Sequence, residues 1–270
     1  TGDGKPDLAV ANANSPGTVS ILFGFGNGAF RTKIDYVTAA YPVSVAIGDL
    51  NLDGTPDLAV ATRNPHGTVA VLLGIGNGTF GTRTDYATGD FPGSVTIGDL
   101  NGDGRTDLAV ANSGPNTVTV LLGNGDGTFG VRSDYATGIY PWSVATGDLN
   151  GDGRLDLVTA NMNDAAVSVL IGNGDGSFGK KNDYGAGSQP TSVAIRDLNA
   201  DGKSDLAVAN YSANTVSVLL GLGDGAFGTK HDYAVGSDPI SVAIGDLNRD
   251  EHPDLAVANN ISNTVSVLLG

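Results

Sequence analysis

A nine-residue segment, Asp99-Leu-Asn-Gly-Asp-Gly-Arg-Thr-Asp107, has close counterparts at 49–57, 148–156, 197–205 and 246–254, and its second half opens the chain at Asp3–Asp7. The copies stand 49 or 50 residues apart. A fixed interval of that size makes the chain an array of one supersecondary unit, each copy burying its apolar surface against its neighbours. Within every full copy, oxygen-bearing side chains occupy positions one, three, five and nine, and Gly occupies position six in all but the last. Hard divalent cations take six to eight oxygen ligands from carboxylates, amide oxygens and backbone carbonyls. The composition and spacing therefore predict a calcium loop.

The segments between loops read as strands. In the third unit, 94–99 alternates in side-chain size and runs into the acidic loop, which we call strand A. Strand B follows at 107–112, strand C at 117–122 after a Ser-Gly-Pro-Asn break, and strand D at 129–135 after a Gly-Asn-Gly-Asp-Gly turn. Four short strands per 49 residues, with tight turns and no helical period, describe the blade of a β-propeller. Along strands A and B, residues such as Val45, Ile47, Leu58 and Val60 alternate with Ala46, Gly48, Ala59 and Ala61. A sheet with one bulky and one small uncharged face is suited to stacking on identical neighbours. Strand D is the most polar and fits an outer edge.

Strands B and C can be found six times, strands A and D five times. The expected fold is an all-β propeller of six four-stranded antiparallel blades forming one domain over residues 1–270, lacking one D–A segment. A seventh blade from residues beyond this sequence is also compatible. The absent segment is expected from residues outside the chain, from a second copy, or by re-pairing of the first and last blades.

The charge follows the loops. Of 29 acidic residues, 28 are Asp and one is Glu251, and 17 of the Asp lie in the repeated loops. Five divalent ions would bring the net charge from −15 to −5. The 14 Lys and Arg form no basic stripe, which argues against nucleic acid. No apolar run approaches the roughly 20 residues of a membrane-spanning helix, so no membrane insertion is expected.

Segments such as 44–61 (Ser-Val-Ala-Ile-Gly-Asp-Leu-Asn-Leu-Asp-Gly-Thr-Pro-Asp-Leu-Ala-Val-Ala), 68–74 and Gly78-Thr-Phe-Gly81 resemble FG-GAP/VCBS repeats, the blades of integrin-α-type propellers. The resemblance covers essentially the whole chain. It implies calcium in the A–B loops and a binding or adhesive role at the cell surface or outside the cell.

The expected ligand sets are Asp49, Asn51, Asp53, the Thr55 carbonyl and Asp57; Asp99, Asn101, Asp103, the Arg105 carbonyl and Asp107; and Asp148, Asn150, Asp152, the Arg154 carbonyl and Asp156. Two more follow: Asp197, Asn199, Asp201, the Lys203 carbonyl and Asp205; and Asp246, Asn248, Asp250, the His252 carbonyl and Asp254. Glu251 replaces Gly in the last set, which predicts strain and weaker binding there. About five structural Ca²⁺ ions are expected.

No catalytic constellation stands out. There is no Cys, the three His lie in different units, and most Asp are committed as ligands. The sequence reading is therefore a non-enzymatic extracellular binding or adhesion module for a protein or carbohydrate. Its alternatives are a lectin, or the propeller domain of a larger polysaccharide-degrading enzyme. In an up-and-down blade the B–C and D–A loops share the end away from the calcium loops. Tyr41, Phe91 and Tyr140 occupy one D–A position, with Trp142 close by, and are the candidate ligand contacts. Alternatively each ring covers its own Pro and fills a gap between blades.

Overall fold

A computed structural model describes all residues, 1–270. It is all-β, with 22 strands in six antiparallel sheets and no helix. The first sheet holds β1 (Leu8–Asn12), β2 (Thr18–Leu22) and β3 (Ile34–Val37). The second holds β4 (Pro42–Gly48), β5 (Asp57–Thr62), β6 (Thr68–Leu72) and β7 (Thr84–Ala87). The third holds β8 (Pro92–Gly98), β9 (Asp107–Asn112), β10 (Thr117–Leu121) and β11 (Ser133–Ala136). The fourth holds β12 (Pro141–Gly147), β13 (Asp156–Asn161), β14 (Ala166–Leu170) and β15 (Asn182–Gly185). The fifth holds β16 (Pro190–Arg196), β17 (Asp205–Asn210), β18 (Thr215–Leu219) and β19 (His231–Ala234). The sixth holds β20 (Pro239–Gly245), β21 (Asp254–Asn259) and β22 (Thr264–Leu268). Two compact units divide the chain, residues 1–135 with the first three sheets and 136–270 with the last three.

Each full sheet runs A-B-C-D in chain order, and the first lacks A and the last lacks D, as the strand count implied. Strand A begins earlier than the alternation suggested, at the Pro after each D–A loop. A bulge lies just after that Pro, between Pro42 and Ser44 in the second sheet. Pro has no N–H for the ladder and is tolerated at the first residue of a strand. Strand D is shorter than 129–135. It pairs only at Ser133–Ala136, while Phe129 makes an isolated bridge to Gly123. The reason is the ring of Phe129, which packs edge-on against Tyr86 of the preceding sheet, centroids 5.1 Å apart at 79°. Tyr36–Phe80 and Tyr184–Phe227 repeat the contact.

The two faces of strand B do different jobs, as the alternation predicted. In residues 1–135, Ala59 and Ala61 of β5 pack with Leu108 and Val110 of β9, and Leu58 and Val60 of β5 pack with Val19 and Ile21 of β2. In residues 136–270, Ala160 lies with Leu206 and Val208, and Ala207 and Ala209 lie with Leu255 and Val257. The bulky face of one sheet thus enters the space left by the small face of the sheet before it. Each fully buried Leu or Val contributes about 1.5–3 kcal/mol.

Four sheets also carry a polar line that the strand pattern did not announce. Asn161 Nδ2 donates to Ser168 Oγ at 2.8 Å, and Ser168 Oγ donates to Asp183 at 2.6 Å, joining strands B, C and D. Asn12–Ser20–Asp35, Asn112–Thr119–Asp134 and Asn210–Ser217–Asp232 do the same. The second sheet has Ala70 at the middle position, so there Asp85 keeps only the pair with the basic residue two positions earlier, Arg83, that the strand-D Asp of the other sheets also makes.

Candidate functional site

The five acidic loops join strand A to strand B in the second to sixth sheets. Their backbone follows from two left-handed positions. Position six has φ of 78°, 78°, 79° and 80° at Gly54, Gly104, Gly153 and Gly202, and 70° at Glu251. Position four is also left-handed, at Leu52 (61°), Gly102 (73°), Gly151 (75°), Ala200 (61°) and Arg249 (67°). The second requirement was missed in the sequence, because residue type at position four varies. A residue with a Cβ costs about 1–2 kcal/mol in this region. The third and fourth loops have Gly at both positions, the second and fifth at one, and the last at neither.

The first Asp holds the turn together. Asp49 Oδ2 accepts from Gly54 N–H at 2.8 Å, and Asp49 Oδ1 from Asp53 N–H at 3.2 Å. Asn51 Oδ1 accepts from Asp53 N–H and Asp53 Oδ1 from Thr55 N–H, each side chain capping the amide two residues on. Asp99, Asp148, Asp197 and Asp246 accept in the same way from position six of their own loops, at 2.8, 2.9, 2.8 and 3.1 Å. These bonds hold some of the carboxyls below the ordinary range. Asp197 is lowered first by the Gly202 N–H, Asp53 by the Asn51 amide, and Asp250 by the His252 N–H.

The ninth residue behaves differently. Asp57, Asp107, Asp156, Asp205 and Asp254 are fully buried. Asp107 Oδ2 accepts from Leu100 N–H and Oδ1 from Gly123 N–H, both at 2.7 Å. The same pair of acceptances recurs at Asp57, Asp156, Asp205 and Asp254. This carboxylate ties the start of its loop to the second residue after strand C, a clamp role not foreseen from the spacing. Burial raises Asp57, Asp107, Asp156 and Asp205 above the ordinary range, against the pull of their two backbone bonds and with the loop's other carboxylates adding to the rise. No three acidic or His side chains form a chelating group in this structure. Positions one, three and five remain together on the exposed side of each loop. Their donors are all oxygen, and a carboxylate oxygen accepting one N–H keeps a further lone pair, so the set suits a hard cation.

At the other end, the residue before each strand-A Pro is left-handed without being Gly: Tyr41 (58°), Phe91 (54°), Tyr140 (61°), Gln189 (55°) and Asp238 (55°). The main chain explains the conformation. Each carbonyl accepts from the amide that follows strand B of its own sheet: Arg63 to Tyr41, Ser113 to Phe91, Met162 to Tyr140, Tyr211 to Gln189 and Asn260 to Asp238, at 2.8–3.1 Å. Tyr41 N–H and Phe91 N–H donate to Asn14 and Asn64 in the B–C loop of the preceding sheet. B–C and D–A loops therefore interlock at one end, as alternation required. The side chains are left outside, with Tyr41 51% and Phe91 40% exposed. Tyr140 and Trp142 are half-buried and stack on each other, centroids 6.2 Å apart and 23° between planes.

A model of the FG-GAP-like repeat matches residues 1–60, 53–110, 99–159, 148–208 and 197–257, together almost the whole chain. The chain belongs to the FG-GAP-like repeat family. No curated protein sequence matches it. Among solved structures, this FG-GAP-like chain is similar to a functionally unknown protein from Desulfotomaculum acetoxidans (TM-score 0.73, 15% identity, 97% of this chain and 78% of that one). It is also similar to the periplasmic gluconolactonase PpgL of Pseudomonas aeruginosa (0.71, 22%, 99% and 78%) and to a protein from Lactobacillus plantarum (0.66, 18%, 98% and 82%). At these identities the likeness is one of fold. It nevertheless corrects the expectation of a non-enzymatic chain, since a structure of this fold carries an enzyme's name. The inference had rested on the lack of Cys and of clustered His, and an absence of those pairs does not limit what the fold can do. No helix is long and apolar enough to cross a membrane.

Proposed function

We propose that the six sheets are blades of an FG-GAP-type β-propeller braced by calcium, and that the D–A and B–C loops bind a protein or glycan outside the cell. One observation carries the binding reading. Aromatic side chains stand exposed at Tyr41 and Phe91 on backbone held left-handed by its own hydrogen bonds. Large apolar rings on a preorganised frame lose little entropy on contact, and strained backbone concentrates at functional sites. The carbohydrate arm is favoured by the Tyr140–Trp142 stack, which offers a flat apolar face of the kind that receives a sugar ring.

For calcium, Asp, Asn and Asp at positions one, three and five with the carbonyl at seven would be the first ligands, and the ion would neutralise carboxylates that otherwise repel. Sites tuned by few ligands and strained turns suit the millimolar calcium of extracellular modules. The binding test is a glycan array beside a capture screen on cell-surface proteins, with Tyr41→Ala, Phe91→Ala and Trp142→Ala as controls. Loss of signal in these variants is expected. A ligand that binds all three as well as the wild type overturns the assignment of this face. The calcium test is a thermal melt with and without chelator, together with elemental analysis. An unchanged melting temperature and no bound metal overturn it.

A further inference from the structure

We propose that the cation loops work in pairs, the second with the third and the fourth with the fifth, through a hydroxyl at position eight of the later loop. This rests on the calcium reading above and adds how the sites regulate one another. In residues 1–135, Thr106 Oγ1 donates to the carbonyl of Asp49 at 2.7 Å, and Gly127 N–H donates to the carbonyl of Leu50 at 3.1 Å. In residues 136–270, Ser204 Oγ donates to the carbonyl of Asp148 at 2.7 Å, and Gly225 N–H to that of Leu149 at 3.2 Å. Asp49 and Asp148 are the first residues of their loops, so the main chain carrying the first carboxylate is fixed by the neighbouring repeat.

Position eight is the residue just before the buried clamp, Asp107 or Asp205. The clamp joins loop entry to the end of strand C, at Leu100 and Gly123 in one case and Leu198 and Gly221 in the other. A cation that orders the later loop therefore orders the hydroxyl that holds the earlier one. Pro56, Leu155 and Pro253 occupy position eight elsewhere and have no hydroxyl to offer. The coupling thus alternates along the chain, and the fifth loop receives no such hydroxyl from the sixth. Each hydrogen bond of this kind is worth roughly fivefold in an equilibrium. Linkage makes the effect reciprocal within a pair.

The test is a calcium titration of the full chain followed by amide proton–nitrogen correlation spectra, in which Gly54, Gly104, Gly153 and Gly202 each report their own loop. Disabling the third loop with Asp99→Asn plus Asp103→Asn is expected to raise the calcium midpoint at Gly54 about fivefold and leave Gly153 unchanged. Thr106→Val is expected to shift Gly54 similarly while Gly104 still responds, and Thr106→Ser restores the wild-type midpoint. Disabling the fifth loop with Asp197→Asn plus Asp201→Asn shifts Gly153. Disabling the sixth with Asp246→Asn plus Asp250→Asn leaves Gly202 where it was. Calcium binding at all loops with midpoints indifferent to these changes overturns the pairing and leaves the calcium reading intact. No response at any glycine overturns both. A variant that loses the dispersed spectrum of the fold is replaced by Ser204→Ala in the other unit, where Gly153 is the readout and an unmoved midpoint again overturns the pairing.

Discussion

Replacing Asp107 with Ala separates a clamp from a ligand. Its two oxygens take the amides of Leu100 and Gly123 at 2.7 Å in a fully buried setting. Hydrogen bonds to a charged acceptor contribute about 1.5–3 kcal/mol each, and an orphaned buried N–H costs about 1–3 kcal/mol. Removal also relieves a buried negative charge whose proton affinity is raised by burial, which offsets part of the loss. We expect a net destabilisation of about 3–5 kcal/mol. At roughly 2–4 °C per kcal/mol for chains of this size, the melting temperature should fall on the order of 10 °C. The decisive condition is chelator. A clamp is needed whether or not a cation is present, so the fall should persist in chelator measured by calorimetry. Asp99→Ala removes bonds from Gly102, Asp103 and Gly104 N–H, but at a partly exposed position where water can replace them, so its cost in chelator should be smaller than that of Asp107→Ala. If Asp107→Ala melts within about 2 °C of the wild type in chelator, the carboxylate is no clamp and this reasoning fails.

Other outcomes can be checked in the same material. Arg249→Gly with Glu251→Gly removes two left-handed side chains (67° and 70°) and should tighten calcium binding at the last loop, read as a lower midpoint in a titration. Because burial raises Asp57, Asp107, Asp156 and Asp205, their contribution to stability in chelator is full below the ordinary carboxylate range of about 4 and lost as pH rises through their folded values. Melting temperature in chelator should therefore gain from moderate acidity through these groups, and saturating calcium should abolish that gain. Leu58→Ala should cost about 2–5 kcal/mol in denaturant unfolding, since the bulky face of β5 loses its filling between Val19 and Ile21. Ser168→Ala should cost about 1–3 kcal/mol by leaving Asn161 and Asp183 without their shared partner, and a loss no larger than that of an exposed Ser would sink the polar line as a structural element.

Much of the fold could be read from residues because its determinants are local and repeated. Asp107–Asn112 is strand B to the residue, since an acidic loop ends it on one side and Ser113-Gly-Pro on the other. The assignment of Leu58 and Val60 to one neighbour and Ala59 and Ala61 to the other needed only the two-residue period of a strand. What escaped was set by partners distant in sequence. Phe129 looked like the start of strand D, yet its place is fixed by Tyr86, 43 positions earlier. The left-handed fourth position of the acidic loops was hidden because Leu52, Ala200 and Arg249 tolerate it under hydrogen-bond pressure from Asp49, Asp197 and Asp246. The inward turn of the ninth Asp escaped for a similar reason. Spacing alone does not show that each of its two oxygens also accepts a backbone amide, as those of Asp107 do from Leu100 and Gly123.

The left-handed residue ahead of each strand-A Pro has a practical consequence. At each of these residues the carbonyl accepts from the amide after strand B, a main-chain bond that does not depend on the identity of the side chain. Tyr, Phe, Tyr, Gln and Asp already occupy the site in five sheets without altering the loop. Randomising Tyr41 and Phe91 within residues 1–135 would vary exposed side chains while keeping that main-chain bond in place, which is the property sought in a scaffold for selected binders.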